Sequence, residues 1–176
     1  MLSGNPWVTP EYGFDQGFDY FHSIYEERFA RVTLFMPALK RPNDLVRAPV
    51  YNLIKRFVQG EISNTERDER LQTEAARWLA TNPHRPFFLY VHLDTAHAPY
   101  NPPPRLLEKV TQGPGGKRYR AAYARSYLGE VAFADEQVGR VRAELERLGM
   151  AERTLLVITA DHGENIDHDK YIVYPE

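Results

Sequence analysis

The sequence has no cysteine among its 176 residues, which excludes disulfides, thiolate metal sites and a cysteine nucleophile within them. It also lacks long apolar runs. Nothing approaches the roughly 18 consecutive apolar residues that a membrane-spanning helix needs, and the opening MLSGNPWVTPEYGF has neither the basic segment nor the apolar core of a signal peptide. No membrane segment is expected here, and the residues as they stand read as cytoplasmic. Nor does one charge dominate. Lys and Arg number 22 against 24 Asp and Glu, a formal net charge of -2, so there is no basic field for a phosphate backbone, and nucleic acid is not an expected partner. With 43% hydrophobic and 12% aromatic residues, the composition is that of a globular chain of one-domain length.

The first 27 residues hold Glu11, Asp15, Asp19, Glu26 and Glu27 but no Lys or Arg, interleaved with aromatic rings. Rich in Gly and Pro, they read as a packed loop without regular elements. A short strand is expected within 28–38, then a helix capped by Asn43 or Asp44 and running to about Phe57. NTERDERLQTEAARWLATNP predicts a helix from Asn64 to about Thr81, with Leu71, Ala75, Trp78 and Leu79 near one face. RPFFLYVHLD has no polar alternation and predicts a parallel strand buried on both faces. The prolines of AHAPYNPPP hold an extended loop. A long helix follows from about Arg120 to Leu148, its apolar stripe formed by Tyr127, Val131, Ala134, Val138, Val141, Leu145 and Leu148, with Gly149 ending it. TLLVITAD, residues 154–161, predicts a second buried strand. Strand, helix and strand make a parallel crossover unit, and ligands in such sheets sit beyond the carboxyl ends of the strands.

Two polar clusters lie at those ends. Asp161 and His162 follow the second apolar run, with Gly163 removing bulk where the backbone turns away. A carboxylate and a neutral imidazole are half a ligand set for a divalent cation, although a strand-end Asp capping the next turn beside a surface histidine accounts for the same triplet. His97 lies in the proline-fixed loop, where an imidazole can bind an oxyanion or hand a proton to a leaving group. A loop histidine bonded to backbone is the plainer alternative. His92 and Asp94 share a strand face and read as a core histidine and a loop cap. The charges of Asp167, His168, Asp169 and Lys170 read as a solvated run able to bring charge to the site, and Glu130 and Asp135 as solvent-facing helix residues. Ser126 has no base beside it, so no serine triad is assigned.

Together these segments resemble the sulfatase branch of the alkaline phosphatase superfamily. FFLYVHLDTAHAPYNPP is similar to the family's strand and His-x-Pro-Tyr loop, YLGEVAFADEQVGRVRAELERLGMAERTLLVITADHGE to the helix, connector and strand before its metal-binding Asp-His-Gly or Asp-Asn-Gly, and GNPWVTPEYGFDQGFDYF to the segment after its nucleophile region. The resemblance implies an α/β fold, a mostly parallel sheet flanked by helices, incomplete in these residues. Residues 1–176 would be a partial catalytic domain with 28–85 as a variable helical insertion. It implies an arylsulfatase-like hydrolase of sulfuric esters, acting on a small-molecule or glycan sulfate ester around a divalent metal, Ca2+ first, with Mn2+, Mg2+ or Zn2+ as alternatives. Asp161 and His162 would be metal ligands, His97 would contact the ester oxygen or leaving group, and Lys170 would bind the anion. His162 stands where many sulfatases have Asn. That keeps phosphoester or phosphonate hydrolysis and phosphoglycerol-type transfer as alternatives, beside a noncatalytic module that retains the fold.

The family's nucleophile, a formylglycine made from Cys or Ser in a Cys/Ser-x-Pro-x-Arg motif, has no counterpart here. There is no Cys, and none of Ser3, Ser23, Ser63 and Ser126 precedes x-Pro-x-Arg. The paired aspartates that complete the metal site are missing too, so the sequence is expected to be an internal fragment. These residues alone should show little or no turnover of aryl sulfates or phosphates, because the bond-making step lacks its nucleophile. Turnover by the purified chain that His97→Ala abolishes would overturn that expectation.

Overall fold

The computed structural model describes residues 1–5, 8–24, 63–81, 86–114, 118–119 and 121–166. They belong to two compact units, Met1–Asp94 and Thr95–Glu176. The strand expected within 28–38, the helix expected to end near Phe57, and Lys170 lie outside the described residues.

In the first unit, β1 (Leu2–Ser3) is the middle strand of a parallel sheet, between β2 (His22–Ser23) and β3 (Val91–His92). Leu2 is in register with both His22 and Val91. The parallel mode matches the reading of RPFFLYVHLD, but its burial does not. Phe88 is 74% exposed and Tyr90 is exposed as well, and among the described residues β3 has a ladder partner on one side only. The N-terminal run is also more regular than expected. It supplies two strands and a 3-10 turn at Pro10–Tyr12, since its backbone donors at Leu2 and His22 find carbonyls on Tyr90 and Met1 at 2.8 and 3.0 Å.

The predicted helix is present as α1 (Asn64–Thr81). Ser63 starts it, its hydroxyl accepting from the Glu66 amide at 3.2 Å. Leu71, Ala75 and Leu79, spaced at one helical repeat, are buried in the core of the unit, and Trp78 meets Phe87 edge-on at 5.4 Å. Where β1 and β3 end, a polar cluster is sealed in. The Asp94 amide donates to Asp68 at 3.0 Å, the Asp94 carboxylate accepts from Asn5 at 3.1 Å, and Arg67, bonded also to Asn64, lies 3.5 Å from it. Asp94 is thus more than a loop cap; it ties both strand ends to α1.

The second unit contains α2 (Pro104–Gln112) and α3 (Ala122–Arg147), which pack on each other. α2 was not expected, because the prolines before it argue against helix. The last of them stands at the first helical position, where the missing N–H costs nothing. α3 matches its predicted span and closes at Gly149, which adopts a left-handed φ of 66° while the Met150 amide reaches the Leu145 carbonyl at 2.8 Å. Its buried face, however, follows the predicted apolar stripe only in part. Leu145 is buried as expected and Val131 is exposed, while Ala124, Gly129, Glu130, Phe133 and Gln137, outside that stripe, are buried. The reason is local: the face that meets the 96–103 loop must offer that loop space and an acceptor, and these come from a glycine and a glutamate.

Residues 154–160 correct a second expectation. They form no strand among the described residues, and Leu155 is 88% exposed. An apolar run becomes a strand only with a ladder partner, and the described residues provide none for it, so the expected crossover unit is incomplete there. Among the described residues no helix is long and apolar enough to cross a membrane. Because Leu71 is fully buried, Leu71→Ala should lower unfolding free energy by about 2–5 kcal/mol in urea titration; a loss below about 1 kcal/mol would show that α1 is not part of the core.

Candidate functional site

The loop from Thr95 to Pro103 carries His97. Its backbone is constrained: Ala96 has a φ of 75° and the Ala98–Pro99 peptide is cis. An alanine in the left-handed region costs roughly 1–2 kcal/mol. Against this stands Glu130 of α3, only 1% exposed, whose two carboxylate oxygens accept from the Ala96 amide at 3.0 Å and the Asn101 amide at 2.6 Å. These two hydrogen bonds hold the strained turn against the helix. Gly129 makes the approach possible, since a Cβ there would lie 2.9 Å from Pro102 Cβ and Cγ. Tyr100 and Tyr127 complete the seam, their rings 5.6 Å apart and edge to face.

The His97 ring is exposed, and its Nδ1 lies 2.7 Å from the Ala98 carbonyl. A carbonyl can only accept, so Nδ1 carries the hydrogen and the neutral ring has its lone pair on Nε2. His162 repeats the pattern, with Nδ1 2.9 Å from the Gly163 carbonyl. Its Nε2 is 3.7 Å from Asp161 Oδ2, and the two side chains are 65% and 86% exposed. The hydrogen bond to Gly163, and secondarily the Asp161 charge, hold the His162 pKa above the ordinary imidazole value.

The Asp161–His162 loop meets the same part of α3 as the His97 loop. Tyr123 donates to the Ile166 carbonyl at 3.3 Å. The Tyr127 hydroxyl titrates above its ordinary value, chiefly through partial desolvation and then through the nearby Glu164 carboxylate. Residues Tyr123–Glu130 therefore serve both loops. Asp161 and His162 are neighbours in space, but no three His, Cys, Asp or Glu side chains among the described residues gather closely enough to hold a metal; His97 does not join the pair in one coordination cluster. An open apolar cleft of about 280 Å³ in the first unit, lined by Met1, Val8, Phe14, Phe18, Tyr90 and His92, contains none of these residues.

The sequence reading missed Glu130. A glutamate within an apolar helix two positions before Ala132 and beside Gly129 is the available signal: small neighbours let another backbone come close enough to use a carboxylate. His92 faces Tyr90 edge-on rather than any candidate residue. A prediction follows from the exposed pair: in NMR titration the His162 midpoint lies above 6.5, Asp161→Asn lowers it, and about 1 M salt removes most of that difference by screening. A midpoint indifferent to both would leave the Gly163 hydrogen bond as its cause.

The model of the family described as Sulfatase matches residues 5–176. The steryl-sulfatase of Mus musculus is 37% identical over 101 residues, covering 56% of this chain and 14% of that protein. The steryl-sulfatase of Rattus norvegicus is 30% identical over 99 residues, covering 56% and 15%. The chain thus spans about a seventh of the length of these curated relatives, and no solved structure matches it. With nearly every residue inside the family match, the chain belongs to the sulfatase family.

Proposed function

We propose that the chain contributes the leaving-group and cation-binding side of a metal-dependent, arylsulfatase-like hydrolase of sulfuric esters. The observation that supports this reading is the shared seat of the His97 and Asp161–His162 loops on Tyr123–Glu130 of α3. Family membership supports sulfate esters as the substrate class. The steryl-sulfatase relatives make an aryl or steryl sulfate a natural probe.

In this reading, His97 does proton work. With Nδ1–H held by the Ala98 carbonyl, the protonated ring presents Nε2–H, and as the bond from sulfur to the ester oxygen breaks, that hydrogen passes to the departing alkoxide. The donors of Asp161 and His162 suit a divalent cation, because the bond from Nδ1 to the Gly163 carbonyl leaves the His162 lone pair on Nε2 beside a carboxylate. They would hold two of its positions, and Ca2+ is the first candidate. Such an ion, when bound, neutralises the anionic ester. Lys170 is proposed as a further anion contact. The attacking group is not among these residues, which have no Cys and no Ser before x-Pro-x-Arg.

The test joins this sequence to a segment bearing Cys-x-Pro-x-Arg and offers 4-nitrophenyl sulfate and 4-nitrophenyl phosphate with Ca2+, Mg2+ or Mn2+. Sulfate hydrolysis is expected, with His97→Ala lowering kcat/KM by on the order of 10²–10⁴-fold and Asp161→Asn raising the metal requirement. Preference for the phosphate would shift the reading to the phosphoester alternative, which His162 in place of the frequent Asn keeps open. Full activity of His97→Ala would end the proton-transfer role.

A further inference from the structure

We propose that Glu130 is a positioning residue for His97, setting the ring's place by gripping the backbone on both sides of it. The proposal rests on the reading of His97 as the group that faces the ester, and adds to it the device that aims the ring. Glu130 is a carboxylate buried in a helix face, and its two oxygens accept from two amides, Ala96 and Asn101, that bracket His97. Those amides belong to residues outside any ladder or helix, so Glu130 satisfies donors that the loop cannot satisfy alone. Gly129 and Tyr127, its neighbours on the helix, meet the same loop at Pro102 and Tyr100. Three helix residues thus fix the loop's flanks through four contacts while the ring itself stays exposed. An exposed ring on a backbone held from beneath is what an incoming anion requires: access without the entropy of ordering the loop.

The experiment uses the 176-residue chain, followed by NMR, with inorganic sulfate as the probe. In Glu130→Ala, hydrogen exchange at the Ala96 and Asn101 amides should quicken by on the order of 10–100-fold. The ¹⁵N signature of His97 should lose its single Nδ1–H tautomer, and the sulfate concentration needed to shift the ring should rise by on the order of tenfold. Glu130→Gln keeps the shape but only one acceptor oxygen, so exchange should quicken at one amide and stay slow at the other. Leu145→Ala, which destabilises the same helix away from the loop, should leave the His97 ring signals unchanged. If Glu130→Ala does not fold, Glu130→Gln decides alone, and two unaffected amides would overturn the clasp. An unchanged His97 ring and sulfate response in a folded Glu130→Ala would overturn the positioning role. If sulfate never perturbs His97 in the unaltered chain, yet the amides and ring respond to Glu130 substitution, the ester-facing reading fails while the positioning role stands.

Discussion

A carboxylate taken out of water must be met by donors, and the second unit is arranged around one such demand. Glu130 is buried on α3 and is met by two backbone amides from a proline-rich loop that has few ways to satisfy itself. The two requirements answer each other. From that exchange follow the close approach at Gly129, the left-handed Ala96, and the exposure of His97 between two fixed points. An apolar residue at 130 would leave both loop amides without this acceptor, and a larger one at 129 would keep the loop off the helix.

The first unit solves a similar problem with opposite charges. Asp94 leaves the end of β3 and is enclosed with Asp68, Arg67 and Asn5. A buried ion pair is a weak source of net stability, because desolvation consumes most of the attraction. Its value here is geometric: Asp94, Asp68, Arg67 and Asn5 pair with one another across two strand ends and a helix, and the strand ends are registered by it. In both units a buried acid on or beside a helix organises the backbone that leaves a strand or enters a loop.

The stretch from Thr154 to Ala160 shows what is left undone. Its composition is that of an inner strand, yet its apolar side chains face outward. Apolar content gives a segment the tendency to be covered, and an extended backbone gives it the capacity to pair, but neither supplies the neighbour. The Asp161–His162 pair at its end inherits that condition, being largely exposed and, among the described residues, short of the further donors a cation needs.

The sequence alone was enough to determine the elements whose signals are local. Helical periodicity and end signals placed one helix from Asn64 to about Thr81 and another from about Arg120 to Leu148, within two residues of the observed α1 (Asn64–Thr81) and α3 (Ala122–Arg147), because capping residues, prolines and a terminal glycine act within one turn of chain. The parallel mode of β3 was legible from its unbroken apolar run, and the family from the His97 and Asp161–His162 motifs in order. Tertiary structure decided what depends on partners distant in sequence. It set which face of α3 is buried, since Glu130 is hidden only because a loop 29 residues away needs it. It set the role of Asp94, the exposure of Phe88, Tyr90 and residues 154–160, and the meeting of two polar loops on one stretch of helix. Burial is a property of neighbours, and no pattern read along a single chain contains them.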